Sequence, residues 1–185
     1  MGGKIRFNVA KFGAKVASQV SKFGFGSGNN LPGYVFYKIA GKEALKDLAH
    51  EMSIGPILIT GTNGKTTTTT LLIKLLSADT KIRKSFESNT IHAITTGILK
   101  GDGDLGVFEY GIRNKSYGIP DTVQRLIDPV GVVYTTISRE HSQVAGVKNP
   151  FEEYVDAKSL LSLGMTRGVV ISNADDPVTA NIACN

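Results

Sequence analysis

The sequence predicts an α/β protein of the P-loop type: a parallel sheet with helices on both faces, preceded by a basic amphipathic helix. Three observations carry this. Short apolar runs at 56–60, 105–108, 131–137 and 168–172 alternate with helix-like stretches, the pattern of a parallel sheet covered on both sides. The first run leads directly into Gly61-Thr62-Asn63-Gly64-Lys65-Thr66, a Gly-rich turn opening a helix. Before residue 24, apolar residues fall on one helical line.

That first segment reads as a helix because Ile5, Val9, Phe12, Val16, Val20 and Phe23 recur every three or four residues. Its charge is one-sided. The chain has 21 basic and 16 acidic residues, and the whole excess equals Lys4, Arg6, Lys11, Lys15 and Lys22, in a stretch without acid. The remainder is neutral and carries no RNA- or DNA-binding signature, so nucleic acid is not an expected partner. A basic amphipathic helix can lie on an anionic membrane through residues 4–23, or pack its stripe on its own domain or a partner subunit. One cysteine, Cys184, excludes an internal disulfide framework. No apolar run approaches a transmembrane length.

Gly24 to Gly33 is Gly/Asn/Pro punctuation, dividing residues 1–33, helix and linker, from a domain over 34–185. A short helix is expected at 42–52, then the strand at 56–60. The phosphate-loop helix runs to about Leu76, although Thr66 to Thr70 cost it on the order of 2–3 kcal/mol in propensity. A local rule broken this strongly marks a working site, with hydroxyls facing phosphate and metal. Residues 81–100 read as a loop followed by a helix at 91–99. A Gly/Asp turn at 101–104 precedes the strand ending at Glu109. Helices at 120–128 and 150–163 flank the strand at 131–137, and the last strand covers 168–172.

The chemistry gathers where the strands end, as ligands do in open parallel sheets. Gly61, Thr62, Asn63, Gly64, Lys65, Thr66 and Thr67 form the candidate nucleotide-binding loop. Its glycines admit close backbone approach, its N–H groups point at the anion, and Lys65 reaches the β/γ-phosphates. Ile59 occupies the first glycine position of the general pattern. The Thr66 hydroxyl and the Glu109 carboxylate are candidate Mg²⁺ ligands, joined by His141 after the third strand. Adenine is favoured over guanine, because Asn173-Ala174-Asp175-Asp176 lacks the lysine of an Asn-Lys-x-Asp tetrad.

Thr60 to Thr67, Glu109, Glu140-His141, Asp156-Ala157-Lys158 and Asn173 to Pro177, in this order, resemble the central ATPase domain of the Mur ligases. The resemblance covers about residues 55–180. It implies ATP on the loop, Mg²⁺ on Thr66, Glu109 and His141, and catalytic roles for Lys65 and Lys158, the latter often carbamylated. It also implies a cytoplasmic ligase that activates a cell-wall peptide carboxylate as an acyl phosphate for amine attack, and the basic helix at residues 4–23 allows a place at the inner membrane face. Residues 25–33 are similar to the start of the MurT branch, which pairs with a glutaminase subunit. Glu109-Tyr110-Gly111 with Gly118 looks instead like the ligases that add D-Ala-D-Ala, and a pseudomurein-type ligase stays open. In the family, adenine contacts and an amine-binding domain lie beyond this length, so an incomplete domain, truncated at its C-terminus, is expected. An ATP-driven binding module and a folylpolyglutamate- or poly-γ-glutamate-type ligase are the alternatives.

Overall fold

A computed structural model describes residues 2–22, 29–140, 142 and 148–184. Its strands are β1 (Gly55–Thr60), β2 (Ile82–Ser88), β3 (Leu105–Tyr110), β4 (Gly131–Tyr134) and β5 (Val169–Ser172). All pair in parallel, in the order β2-β3-β1-β4-β5. β1 is therefore central, and the segments leaving β1, β3 and β4 emerge side by side. The register places Ile59 beside Glu109 and Thr60 beside Tyr134.

Strand periodicity divides the core into two layers. Leu58, Phe108, Tyr110, Val132 and Tyr134 face one side, with α5 (Ile91–Lys100), α7 (Pro120–Ile127) and α8 (Pro150–Ser159). Ile57, Ile59, Leu105, Val107 and Val133 face the other, where Ile73 of α4 (Lys65–Leu76) covers them. The expected parallel sheet with helices on both faces is what the structure shows.

Four elements escaped the sequence reading. α2 (Leu31–Ala40) begins inside the expected linker, because Pro32 near a helix start is compatible with helix and supplies its fixed φ. Gly33 lets α2 cross α5 closely: a Cβ there would run into the His92 carbonyl, and its N–H donates to Thr96 Oγ1 at 2.9 Å. β2 occupies most of the expected loop. It is an edge strand rich in polar residues, and the buried Arg83 donates to Gly103 O at 2.8 Å and Ile98 O at 2.9 Å. α9 (Pro177–Cys184) follows β5.

Other elements are shorter than expected. α3 (Ala44–Ala49) is one and a half turns, and β4 stops at Tyr134 because the next residues turn to bond the loop after β1. α6 (Lys115–Gly118), the fourth unforeseen element, is a single turn capped by Asn114. α1 (Gly2–Lys22) packs on α2 through Ala10, Ala14 and Ala17, with Phe7 edge-on to Phe36 at 5.5 Å. The predicted stripe is not that packing face: Ile5, Val9, Phe12, Val16 and Val20 point outward. Phe23 and linker residues 24–28 lie outside the described residues.

Candidate functional site

The phosphate-loop geometry follows from two glycines and the loop beside it. Gly61 (φ +149°) and Gly64 (φ +82°) occupy backbone conformations that disfavour a side chain. A Cβ on Gly61 would also collide with Thr135 Oγ1 and the Thr136 backbone. Because β1 and β4 are neighbours, the loop is stitched to the exit of β4. Thr62 N donates to Thr136 O at 2.5 Å, Thr135 Oγ1 to Asn63 O at 2.6 Å, and Ser138 N to Thr62 Oγ1 at 3.0 Å. These bonds fix the loop before any ligand arrives.

Lys65 opens α4 and folds back to donate to Thr62 O at 2.7 Å. Burial pushes its ammonium pKa down, and the Glu109 carboxylate opposes that shift. Thr66 donates its hydroxyl to Glu109 Oε2 at 3.0 Å. Glu109 is only 3% exposed, one residue short of the end of β3. Thr67 is exposed in the first turn of α4. The rest of the threonine run does not face phosphate as expected. Thr69 is buried with an unpartnered hydroxyl, and Thr70 donates back to Thr66 O at 2.7 Å.

Lys158 is the least obvious member. It lies on α8, wholly buried, and donates to Ile112 O at 2.9 Å and Gly61 O at 3.2 Å. Its ammonium is 4.4 Å from the centre of the Tyr154 ring. Burial, with a smaller push from Lys65, brings its pKa down to about 7. Gly61, Lys65, Thr66, Glu109, Arg113 and Lys158 line one cavity of about 340 Å³.

His141 lies outside the described residues. Its chain neighbour Glu140 accepts from Asn63 Nδ2 at 2.9 Å. Among the described residues no three His, Cys, Asp or Glu cluster as metal ligands. Yet a buried carboxylate beside a hydroxyl suits Mg²⁺, which takes few protein oxygens and fills its shell with phosphate and water. The donor set therefore fits the ion, and Lys65 with the loop amides fits a polyphosphate. Asp176, expected as a turn residue, accepts from Val178 N at 2.9 Å to start α9 and from Ile137 N at 2.6 Å. Sequence reading missed Tyr154 and Arg113, which line the cavity. Tyr154 precedes Lys158 by one helical turn, the only signal that could have found it.

A glycine-bounded loop after a central strand, with a buried carboxylate on the next strand, defines a nucleotide-binding α/β domain. Residues 59–185 match the Mur ligase middle domain, and the chain belongs to the Mur ligase family. It is 30% identical over 146 residues to a UDP-N-acetylmuramoyl-tripeptide–D-alanyl-D-alanine ligase of Bacillus subtilis, covering 75% of this chain and 31% of that protein. Among solved structures, the MurF ligase of Thermotoga maritima in complex with ADP superposes with a TM-score of 0.60. Identity there is 19%, over 76% of this chain and 34% of the other. A pseudomurein peptide ligase type C from Methanothermus fervidus gives a TM-score of 0.55 and 27% identity, over 69% and 25%. The chain thus spans about a third or less of each relative's length.

Proposed function

We propose that this chain is the ATP-binding part of an ATP- and Mg²⁺-dependent carbon–nitrogen ligase acting on a peptide-bearing cell-wall precursor. The observation that carries the reading is the single cavity shared by Lys65, Thr66, Glu109 and Lys158 at the carboxyl ends of β1 and β3. Bound ATP supplies the phosphoryl group that makes a substrate carboxylate an acyl phosphate, and Mg²⁺ neutralises phosphate charge. Lys65 leaves Thr62 O to balance charge growing on the transferred phosphoryl oxygens. The amides of Gly64, Lys65, Thr66 and Thr67 at the start of α4 hold the phosphates in place, while Thr62 and Asn63 brace the loop against the exit of β4. Thr66 and Glu109 would hold the metal, with His141 as the third proposed ligand.

Lys158 has a second role in this reading. An amine with a pKa near 7 is substantially neutral at physiological pH, so its nitrogen can add CO₂. The product is a carbamate plus one proton, an anionic oxygen ligand on the metal side of the cavity.

The domain assignment, residues 1–33 ahead of an ATP-binding central domain over 34–185 that continues further, belongs to the same proposal. Val169 and Ile171 support it, being more than half exposed on the sheet-edge strand β5. The proposed partners are the precursor, a glutaminase subunit and an anionic membrane at residues 4–23, placing the protein in the cytoplasm at the inner membrane face. No described helix is long and apolar enough to cross a membrane.

The test is amide formation by the intact protein carrying this chain, supplied with ATP, Mg²⁺ and peptide precursor. Lys65→Ala should cut the rate by roughly a hundredfold or more. Amide formation that survives Lys65→Ala would end the proposal.

A further inference from the structure

We infer that the outer face of α1 is a docking surface that lays this domain flat on an anionic lipid bilayer. The inference deepens, and rests on, the membrane contact named above, but it needs no particular ligase chemistry. Its first support is the direction of the helix. Ala10, Ala14 and Ala17 are buried against the domain at 0%, 1% and 8% exposure. At 100° per residue they lie roughly opposite Phe12 and Ile5. The packed face is made of alanines, and the large apolar side chains are turned away from it. Ile5, Val9, Phe12, Val16 and Val20 are 66%, 53%, 70%, 47% and 44% exposed, a line of bulky groups the domain leaves uncovered. At 21 residues, α1 extends this line over roughly 30 Å.

Charge selects the occupant. The same angular spacing puts Lys4, Lys11 and Lys15 along one edge of the stripe, and the segment contains no acidic residue. Lys11 pairs with Glu51 of the domain at 2.7 Å, while Lys4 and Lys15 have no acidic partner among the described residues. Along that edge a cavity of about 680 Å³ opens between α1 and the end of α5, lined by Lys11, Lys15, Gln19, Pro32 and Lys100. Lysines over an apolar floor beside an outward apolar line suit phosphate headgroups above acyl chains. A second copy of the chain is the poorer occupant, because pairing two such faces would oppose two acid-free lysine rows.

The test is flotation of the 185-residue chain with vesicles of phosphatidylcholine alone or containing about a third phosphatidylglycerol. The chain should bind the anionic vesicles, and binding should fall as salt rises. Two variants on the exposed face probe the two components. Val9→Asn/Phe12→Ser/Val16→Asn removes the apolar line, and Lys4→Glu/Lys15→Glu reverses the edge. Each should weaken binding at least about tenfold, since one lysine near such a surface is worth roughly fivefold. Equal binding to neutral vesicles, or indifference to both variants, would overturn the inference. So would a wild-type dimer that ignores vesicles and that the apolar variant makes monomeric, the signature of a second copy. Affinity for an ATP analogue, unchanged in both variants, reports an intact fold. Vesicle binding by this chain together with amide formation that survives Lys65→Ala in the intact protein would remove the ligase reading and leave this surface standing.

Discussion

The buried amine of Lys158 should make folding stability depend on pH in a way its replacement removes. Lys158 is fully buried, so solvent does not screen the effect. Burial first, and Lys65 second, carry its pKa from 10.5 to about 7. The folded value lies below the unfolded one. Between pH 7 and 10.5 the unfolded chain therefore holds a proton that the folded chain gives up. Stability rises with pH through that window and is lowest, and flat, below about 7. Integrated from pH 7 to 9, these values give a gain of about 2 kcal/mol. Lys158→Met keeps most of the apolar stem and has no proton to lose.

Urea unfolding of both proteins at pH 7 and 9, in carbonate-free buffer, isolates the contribution, because titrations common to both cancel in the difference. The difference should move by about 2 kcal/mol in favour of wild type at pH 9. A difference constant to about 0.5 kcal/mol would refute the desolvated amine, and with it the basis for carbamate formation. Added bicarbonate should stabilise wild type and leave Lys158→Met unchanged, since only the neutral amine of the folded chain can hold the carbamate.

Three other substitutions test the frame around the site. Gly61→Ala forces a Cβ against Thr135 at φ +149°, so it should destabilise the fold by about 2–4 kcal/mol and abolish nucleotide binding. Unchanged thermal unfolding would show that the loop accepts a side chain there. Asp176→Ala removes the acceptor for Val178 N and Ile137 N and should cost about 1–3 kcal/mol in a urea titration. A loss below experimental error would make this aspartate a surface residue. Arg83→Met strips the donors from Gly103 O and Ile98 O at the β2 edge, at a cost of about 1–3 kcal/mol. Equal stability would mean that water replaces them.

The phosphate loop and Glu109 were legible because their chemistry is local: a glycine pair, a lysine and a strand-ending carboxylate announce themselves. β1, β3, β4 and even the edge strand β5 were legible as apolar runs. β2 was not, because an edge strand can carry Arg83, Lys84, Ser85 and Ser88 without breaking the apolar pattern of a core. α2 was hidden by Pro32 and Gly33, residues that mark turns in isolation but here fit a helix start and a close crossing of α5. The stripe of α1 was visible, but which face packs was not. Periodicity reports that a helix has an apolar side, and only the contacts show that the alanines are the buried one. Lys158 was found by resemblance alone, since its burial depends on Ile112 and Gly61 arriving from two distant places in the chain to join Tyr154 on its own helix. The threonine run misled in part, because Thr69 turns into the core.

The most direct test of the central claim is calorimetric titration of this chain with a non-hydrolysable ATP analogue, with and without Mg²⁺, beside Lys65→Ala and Glu109→Ala. Binding should require Lys65, and Mg²⁺ should tighten it only while Glu109 is present. Binding that survives Lys65→Ala, or an Mg²⁺ effect that survives Glu109→Ala, would contradict the site assigned to these residues.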